Sequence, residues 1–233
     1  MALLVPYAIA PAPVTSALCR FKGSAQLPYT KDSWRRRYSE RTDLSTSLVH
    51  LTKASSNSKI VEVMFKILDE QLLRGSSTEK GFIVGKSRAV CFQDAPVHAV
   101  AQNCWFEQKL RESGEQVKKR YVPSGFLFHK QEIYRKGGRP VIYDKTAEAK
   151  KYLPDTEWWR IVNFDISEDE SFKDWTHERE WRIKGDYEFN LGDVTLLFTK
   201  PATYKSFIKL CDDRKKPFYK KVAGVIVTEQ VFF

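Results

Sequence analysis

The chain has 233 residues, 42% of them hydrophobic and 13% aromatic, which is enough for one sizeable core without disulfide or metal staples. Its 39 basic residues against 29 acidic ones give a net charge of +10, which favours polyanionic partners: nucleic acid, a phosphate-rich cofactor or an acidic protein. The four cysteines (Cys19, Cys91, Cys104 and Cys211) form no CxxC pair, so neither a structural zinc site nor a disulfide framework is expected.

The opening run Met1-Ala2-Leu3-Leu4-Val5 has no basic residue before Arg20 and is interrupted by Pro6, Pro11 and Pro13, which does not fit an export signal. No later apolar stretch approaches membrane-spanning length, so a cytoplasmic protein is expected. Residues 1–46 read as an irregular basic lead-in punctuated by Pro and Ser. Within it, Trp34-Arg35-Arg36-Arg37-Tyr38 interleaves a basic triplet with rings. Such a cluster can hold a phosphate backbone while a ring stacks on a base, or it can be a surface arm that packs its rings on the main domain.

A single domain is expected over 47–233. It begins with a strand at Ser47-Leu48-Val49-His50-Leu51-Thr52. A helix follows with Ile60, Val61, Met64, Ile67, Leu68 and Leu72 at helical spacing, capped by Ser58 and ended by Gly75. Ala89-Val90-Cys91-Phe92 reads as a strand, and Pro96 opens a second helix whose stripe is Val97, Val100, Ala101, Cys104 and Trp105. Further strands are expected at Gly125–Phe128, Pro140–Tyr143, Arg160–Phe164 and Thr176–Ile183. A hairpin is expected to join Asp186–Phe189 to Val194–Phe198 through Asn190-Leu191-Gly192-Asp193. Pro201 opens a last helix through Leu210, and the nearly all-apolar Val222–Val227 reads as an interior strand. The predicted class is α+β, a curved mixed β-sheet with helices packed on it.

The stretch Thr176-His177-Glu178-Arg179-Glu180-Trp181-Arg182-Ile183 concentrates two carboxylates, two guanidiniums and one of four histidines. As an extended strand it places Glu178, Glu180 and Arg182 on one side and Arg179, Trp181 and Ile183 on the other. The charged side is either a ladder of ion pairs in water or a site where a carboxylate stabilises an oxocarbenium-like transition state and orients a sugar hydroxyl. His50 is read as a structural histidine or an acid, base or ligand. Cys91, with no basic neighbour in sequence, is read as an inert buried thiol.

The segments Leu48–Thr52, Val90–Pro96, Ser124–Phe128, Gly137–Tyr143 and His177–Arg182 resemble the ordered blocks of an uncharacterised group of bacterial abortive-infection, phage-resistance proteins. His50-Leu51-Thr52, followed after a long gap by a strand with a glutamate, is also similar to the layout of DarT-like and other ADP-ribosyltransferases. That similarity implies an ADP-ribosyltransferase-like fold, NAD as substrate, and a macromolecular target, nucleic acid or protein. It implies that His50 and Thr52 belong to the NAD site, that Phe92 or Tyr143 stacks on the nicotinamide, and that Glu180 or Glu178, beside Arg182, holds its ribose. An acidic partner or antitoxin fits the same picture, and so does a cleft shared by His50 and Glu180. The chain departs from those families in lacking a Ser-Thr-Ser segment after the first strand block. Two other readings stand beside this one. One is a nucleic-acid-binding nuclease with Asp165 and Glu180 as metal carboxylates, although Arg182 occupies the place where a lysine is usual. The other is a non-enzymatic phage sensor.

Overall fold

The computed structural model describes residues 30–54, 57–80, 82–113, 124–169 and 172–231. In chain order the elements are α1 (Lys31–Glu40), β1 (Ser47–Leu51), α2 (Ile60–Glu70), β2 (Leu72–Leu73), β3 (Ala89–Gln93), α3 (Val97–Glu112), β4 (Gly125–His129) and α4 (Lys130–Arg135). These are followed by β5 (Arg139–Pro140), β6 (Ile142–Asp144), α5 (Thr146–Tyr152), β7 (Ile161–Asn163), β8 (Glu180–Lys184), β9 (Tyr187–Glu188), β10 (Val194–Phe198), α6 (Pro201–Asp213) and β11 (Gly224–Val227). Seven strands form one mixed sheet in the order β11-β10-β4-β1-β3-β8-β5, antiparallel except for the β10–β11 pair. The chain is therefore α+β, with a large mixed sheet and helices on both of its faces.

Strand alternation divides the sheet into two faces. Leu48, Phe92, Phe126, Phe128, Ile183, Leu196 and Phe198 point to one side, where Met64, Phe65 and Leu68 of α2 and Phe207 and Cys211 of α6 cover them. Phe92 meets Phe128 and Tyr187 edge to face at centroid distances of 6.0 and 5.8 Å. Val49, Leu127 and Leu197 point to the other side, beneath Val100 and Cys104 of α3. Farther along that second face, Ala89 and Cys91 lie under Ile83 and Trp159. Gly125 lets β4 close on β1, since a Cβ there would stand 2.0 Å from the His50 carbonyl oxygen.

Several expectations need correction. The lead-in, expected to be irregular, contains α1, whose N-cap Thr30 accepts the Ser33 N–H at 3.1 Å; the residues before 30 lie outside the described ones. α2 is capped by Lys59, whose backbone N–H donates to Glu62, and it stops at Gln71, which adopts φ 49°. The expected strand Pro140–Tyr143 divides between two sheets, because β5 joins β8 while β6 pairs in parallel with β7 in a small separate sheet. No hairpin joins β9 to β10: β9 pairs with β2, and β10 lies between β4 and β11. β11 is a half-buried edge strand rather than an interior one, since its apolar residues need cover from only one neighbouring strand. Among the described residues, no helix is long and apolar enough to cross a membrane.

Candidate functional site

The strand through the charged stretch begins only at Glu180. Asp174 turns the chain by accepting the Thr176 backbone N–H at 2.8 Å and its hydroxyl at 2.6 Å, a 3-10 turn runs over Thr176–Glu178, and Arg179 adopts φ 44°. Glu178 therefore does not continue the alternation, and the expected three-residue charged face reduces to Glu180 and Arg182. Those two are not in water: they are 8% and 3% exposed.

Arg182 uses every one of its five N–H donors. Its Nε donates to Glu180 Oε1 at 2.7 Å, Nη1 to the Trp159 and Ile161 carbonyls at 2.8 and 3.1 Å, and Nη2 to the Phe82 carbonyl and Glu180 Oε2 at 3.2 and 3.3 Å. Burial works against its charge, but the Glu180 carboxylate outweighs that and keeps the guanidinium firmly protonated. The pair thus fastens β8 to the backbone of two other segments, the one around Phe82 and the one through Trp159 and Ile161, and holds the carboxylate in one orientation.

Around this pair stand Tyr143, whose hydroxyl accepts the Glu180 backbone N–H at 2.8 Å, and Cys91, which faces Arg182 across the β3–β8 ladder. Burial pushes the Tyr143 hydroxyl up to about 12, although its bond from Glu180 acts the other way. Burial also pushes the Cys91 thiol well above its ordinary value, with the Glu180 charge adding to the effect, so at neutral pH the sulfur is protonated and a poor nucleophile. The residue that sequence reasoning passed over is Gln93. It pairs directly with Glu180, is 7% exposed, and its Oε1 has no hydrogen-bond partner among the described residues. A buried acceptor left unpaired costs about 1–3 kcal/mol. The signal was available, since Gln93 lies inside the Val90–Pro96 block, but glutamine titrates nothing and attracted no role.

Val49, Gln93 and Glu180 form one row across β1, β3 and β8. His50 is offset by one residue and so faces the other side, where its ring lies 5.8 Å from Phe92. His50 and Glu180 therefore do not share a side-chain cleft, and the expectation that they would is corrected by the pleat of the sheet. Phe92, 1% exposed in the core, is likewise corrected as a stacking platform for nicotinamide. β1 meets β3 at the single paired position Val49–Gln93 but meets β4 at five, so the sheet parts beyond Val49. The His50 Nδ1 fills the parting by bonding to the Cys91 carbonyl at 2.9 Å. Burial lowers the affinity of this ring for a second proton, with the Cys91 carbonyl opposing the effect. Thr52, at the same end of β1, donates its backbone N–H to Ser124 at 2.9 Å.

The cluster Trp34-Arg35-Arg36-Arg37-Tyr38 lies on α1. Arg35, Arg36 and Arg37 are exposed, and Arg36 is paired with Glu40 at 2.8 Å. Trp34 and Tyr38, one turn apart, turn inward: their centroids are 4.6 Å apart, Trp34 is 6.4 Å from the His129 ring, and Lys130 Nζ stands 4.6 Å above Tyr38. Trp34 and Tyr38 thus pack against the main domain while the three arginines stay exposed to solvent. Asp165 binds Lys145 and Ser167 beside the small β6–β7 sheet, while Glu180 binds Arg182, so the two carboxylates of the nuclease reading have separate partners. No family model, curated protein or solved structure matches the chain.

Proposed function

We propose that the chain is a bacterial defence effector that transfers ADP-ribose from NAD to a macromolecular target, with Glu180 orienting the ribose. The observation that carries this reading is the pair of acceptors, Gln93 Oε1 and the Glu180 carboxylate, set directly opposite each other on one face of the sheet. Side chains opposed in this way stand about 5 Å apart at Cβ, a separation suited to the two neighbouring hydroxyls of a ribose. The unpaired amide oxygen gains a donor when such a ligand binds.

In the reaction, the bond between the ribose anomeric carbon and nicotinamide breaks, and nicotinamide leaves with the electron pair. The target nucleophile forms the new bond and loses its proton. Positive charge builds on the sugar in between, and a fixed carboxylate in a dry site stabilises it. Arg182 is a positioning residue that prevents Glu180 from turning away, and Tyr143 fixes the backbone from which Glu180 projects. The similarity of the His50–Thr52 strand and the Glu180 strand to the layout of ADP-ribosyltransferases supports the same reading, since only β3 separates the two in the sheet. His50 and Phe92 take no part in holding the ribose here.

The test is incubation of the purified full chain with NAD labelled on the adenylate, measuring nicotinamide release and labelled product. Glu180→Gln is expected to abolish both. Full turnover in a Glu180→Gln variant that melts as a folded protein would sink the proposal, as would the absence of NAD consumption over a panel of nucleic-acid and protein targets.

A further inference from the structure

On the opposite face of the sheet, a cavity of about 550 Å³ opens where α1 and α4 meet β8. Its lining includes three large rings, Trp34, Tyr134 and Trp181, and three cations, Lys31, Lys130 and Arg135. The back wall is one connected network. The Trp181 Nε1–H donates to Asp94 Oδ2 at 3.2 Å, Asp94 Oδ1 pairs with the buried Lys130 at 2.6 Å, and Lys130 stands over Tyr38, which packs on Trp34. Tyr134 is 53% exposed, with the Arg139 guanidinium 4.2 Å from its ring centre.

The rim is positively charged. The His129 ring, already disfavoured for protonation by burial, is disfavoured further by Arg35, Lys31 and Arg135 around it. The acids in reach are engaged: Asp94 with Lys130, Glu132 with Arg135 at 3.4 Å, and Asp32 with Arg35 at 3.9 Å. We propose that this cavity binds a nucleoside phosphate, its base stacked on Trp34 or Tyr134 and its phosphate held by Lys31 and Arg135. The ligand is either a free nucleotide or one residue of a single strand. Stacking rings with cations at their edge suit that chemistry because any base offers a π face and each phosphate offers a charge. An acidic peptide would use the cations but leave the rings exposed. The proposal stands apart from the Glu180 reading, whose residues point away from this cavity.

The experiment titrates the full chain with a fluorescently labelled ten-residue oligothymidylate, with unlabelled TMP and with inorganic phosphate. Binding of the oligonucleotide is expected to weaken at least about fivefold in Trp34→Ala. In the surface double variant Lys31→Glu/Arg135→Glu it should weaken similarly, with the salt slope falling by about 0.7 for each phosphate no longer held. Because Trp34→Ala also loosens α1, Trp34→Phe serves as the second variant and should keep most of the affinity. Tight oligonucleotide binding with weak TMP binding assigns the single strand, and comparable affinity assigns the free nucleotide. No binding of either overturns the proposal. It is also overturned if binding falls with charge reversal but is unchanged in Trp34→Ala, because that is the general attraction of a basic surface.

Discussion

Arg182 lies 2.7 Å from Glu180, two residues earlier on the same face of β8, and its remaining donors go to the carbonyls of Trp159, Ile161 and Phe82. Two charges buried together in this way hold a strand to loops that share no ladder with it. Removing one charge strands the other, so the first prediction is structural. Arg182→Met is expected to lower stability by about 3–5 kcal/mol, since it leaves the Glu180 carboxylate and three carbonyls without donors. Arg182→Lys should recover little, because an ammonium lacks the planar fork that reaches three carbonyls and a carboxylate together. Urea denaturation checks both, and a loss under about 1 kcal/mol for either would contradict the geometry.

Gln93 separates stability from function. Its unpaired Oε1 burdens the folded chain, so Gln93→Leu, nearly the same size, is expected to raise stability by about 1 kcal/mol. If the amide serves a ribose hydroxyl, the same variant should consume NAD more slowly while its thermal midpoint rises. Unchanged turnover would leave Gln93 as a packing residue only.

Asp94 joins the sheet to α1 and α4 through Lys130 and Trp181. Asp94→Asn keeps an acceptor for the Trp181 N–H but leaves the 6%-exposed Lys130 uncompensated. A double-mutant cycle with Lys130→Met should give a coupling of about 1–3 kcal/mol. Additive losses would show that the pair contributes nothing beyond its separate members.

His50 sets a pH dependence. Burial lowers its pKa below the ordinary 6.5, so the folded chain keeps the ring neutral where the unfolded chain takes up a proton. Stability is then at its full value above about pH 6.5 and is lost as the pH falls below it, until the folded ring also protonates. His129 shifts in the same direction, for burial and the surrounding cations. The carboxylates held below their ordinary values, Asp165 at about 2 through its bond from the Ser167 hydroxyl and Asp174 through its bond from Thr176, act in a lower window, below about pH 4. Urea midpoints between pH 7 and 5 should decline in the wild-type chain and decline less in His50→Gln. Parallel curves would show that His50 is not the group responsible.

The thiol of Cys91 should react slowly with iodoacetamide at pH 7.5, with a rate that climbs as the pH rises, because burial holds it protonated. The comparison is with Cys91→Ser. A fast reaction lost in that variant would mean that the sulfur is a thiolate and that the surroundings of Glu180 admit solvent.

The local elements were legible where the hydrophobic period is regular, even where the caps were not. The stripe from Ile60 to Leu68 formed α2, although Leu72, expected to continue it, lies in β2; helices open at Pro201 and just after Pro96, and Ser47–Leu51 and Ala89–Gln93 are strands. Trp181 and Ile183 turned toward the core as their alternation requires, Ile183 being 4% exposed. Partners across long separations were not legible. Nothing within Asp186–Phe198 says that β9 will leave β10 for β2, because the partner strand Leu72–Leu73 lies more than a hundred residues away in the chain. The site followed the same division. Sequence alone determined that Glu180 and Arg182 share a face, since the pleat repeats every two residues. Only the tertiary structure decided that carbonyls from Trp159, Ile161 and Phe82 would close over them and that register would set Gln93 beside Glu180 while turning His50 away, because burial and register depend on segments far apart in the chain.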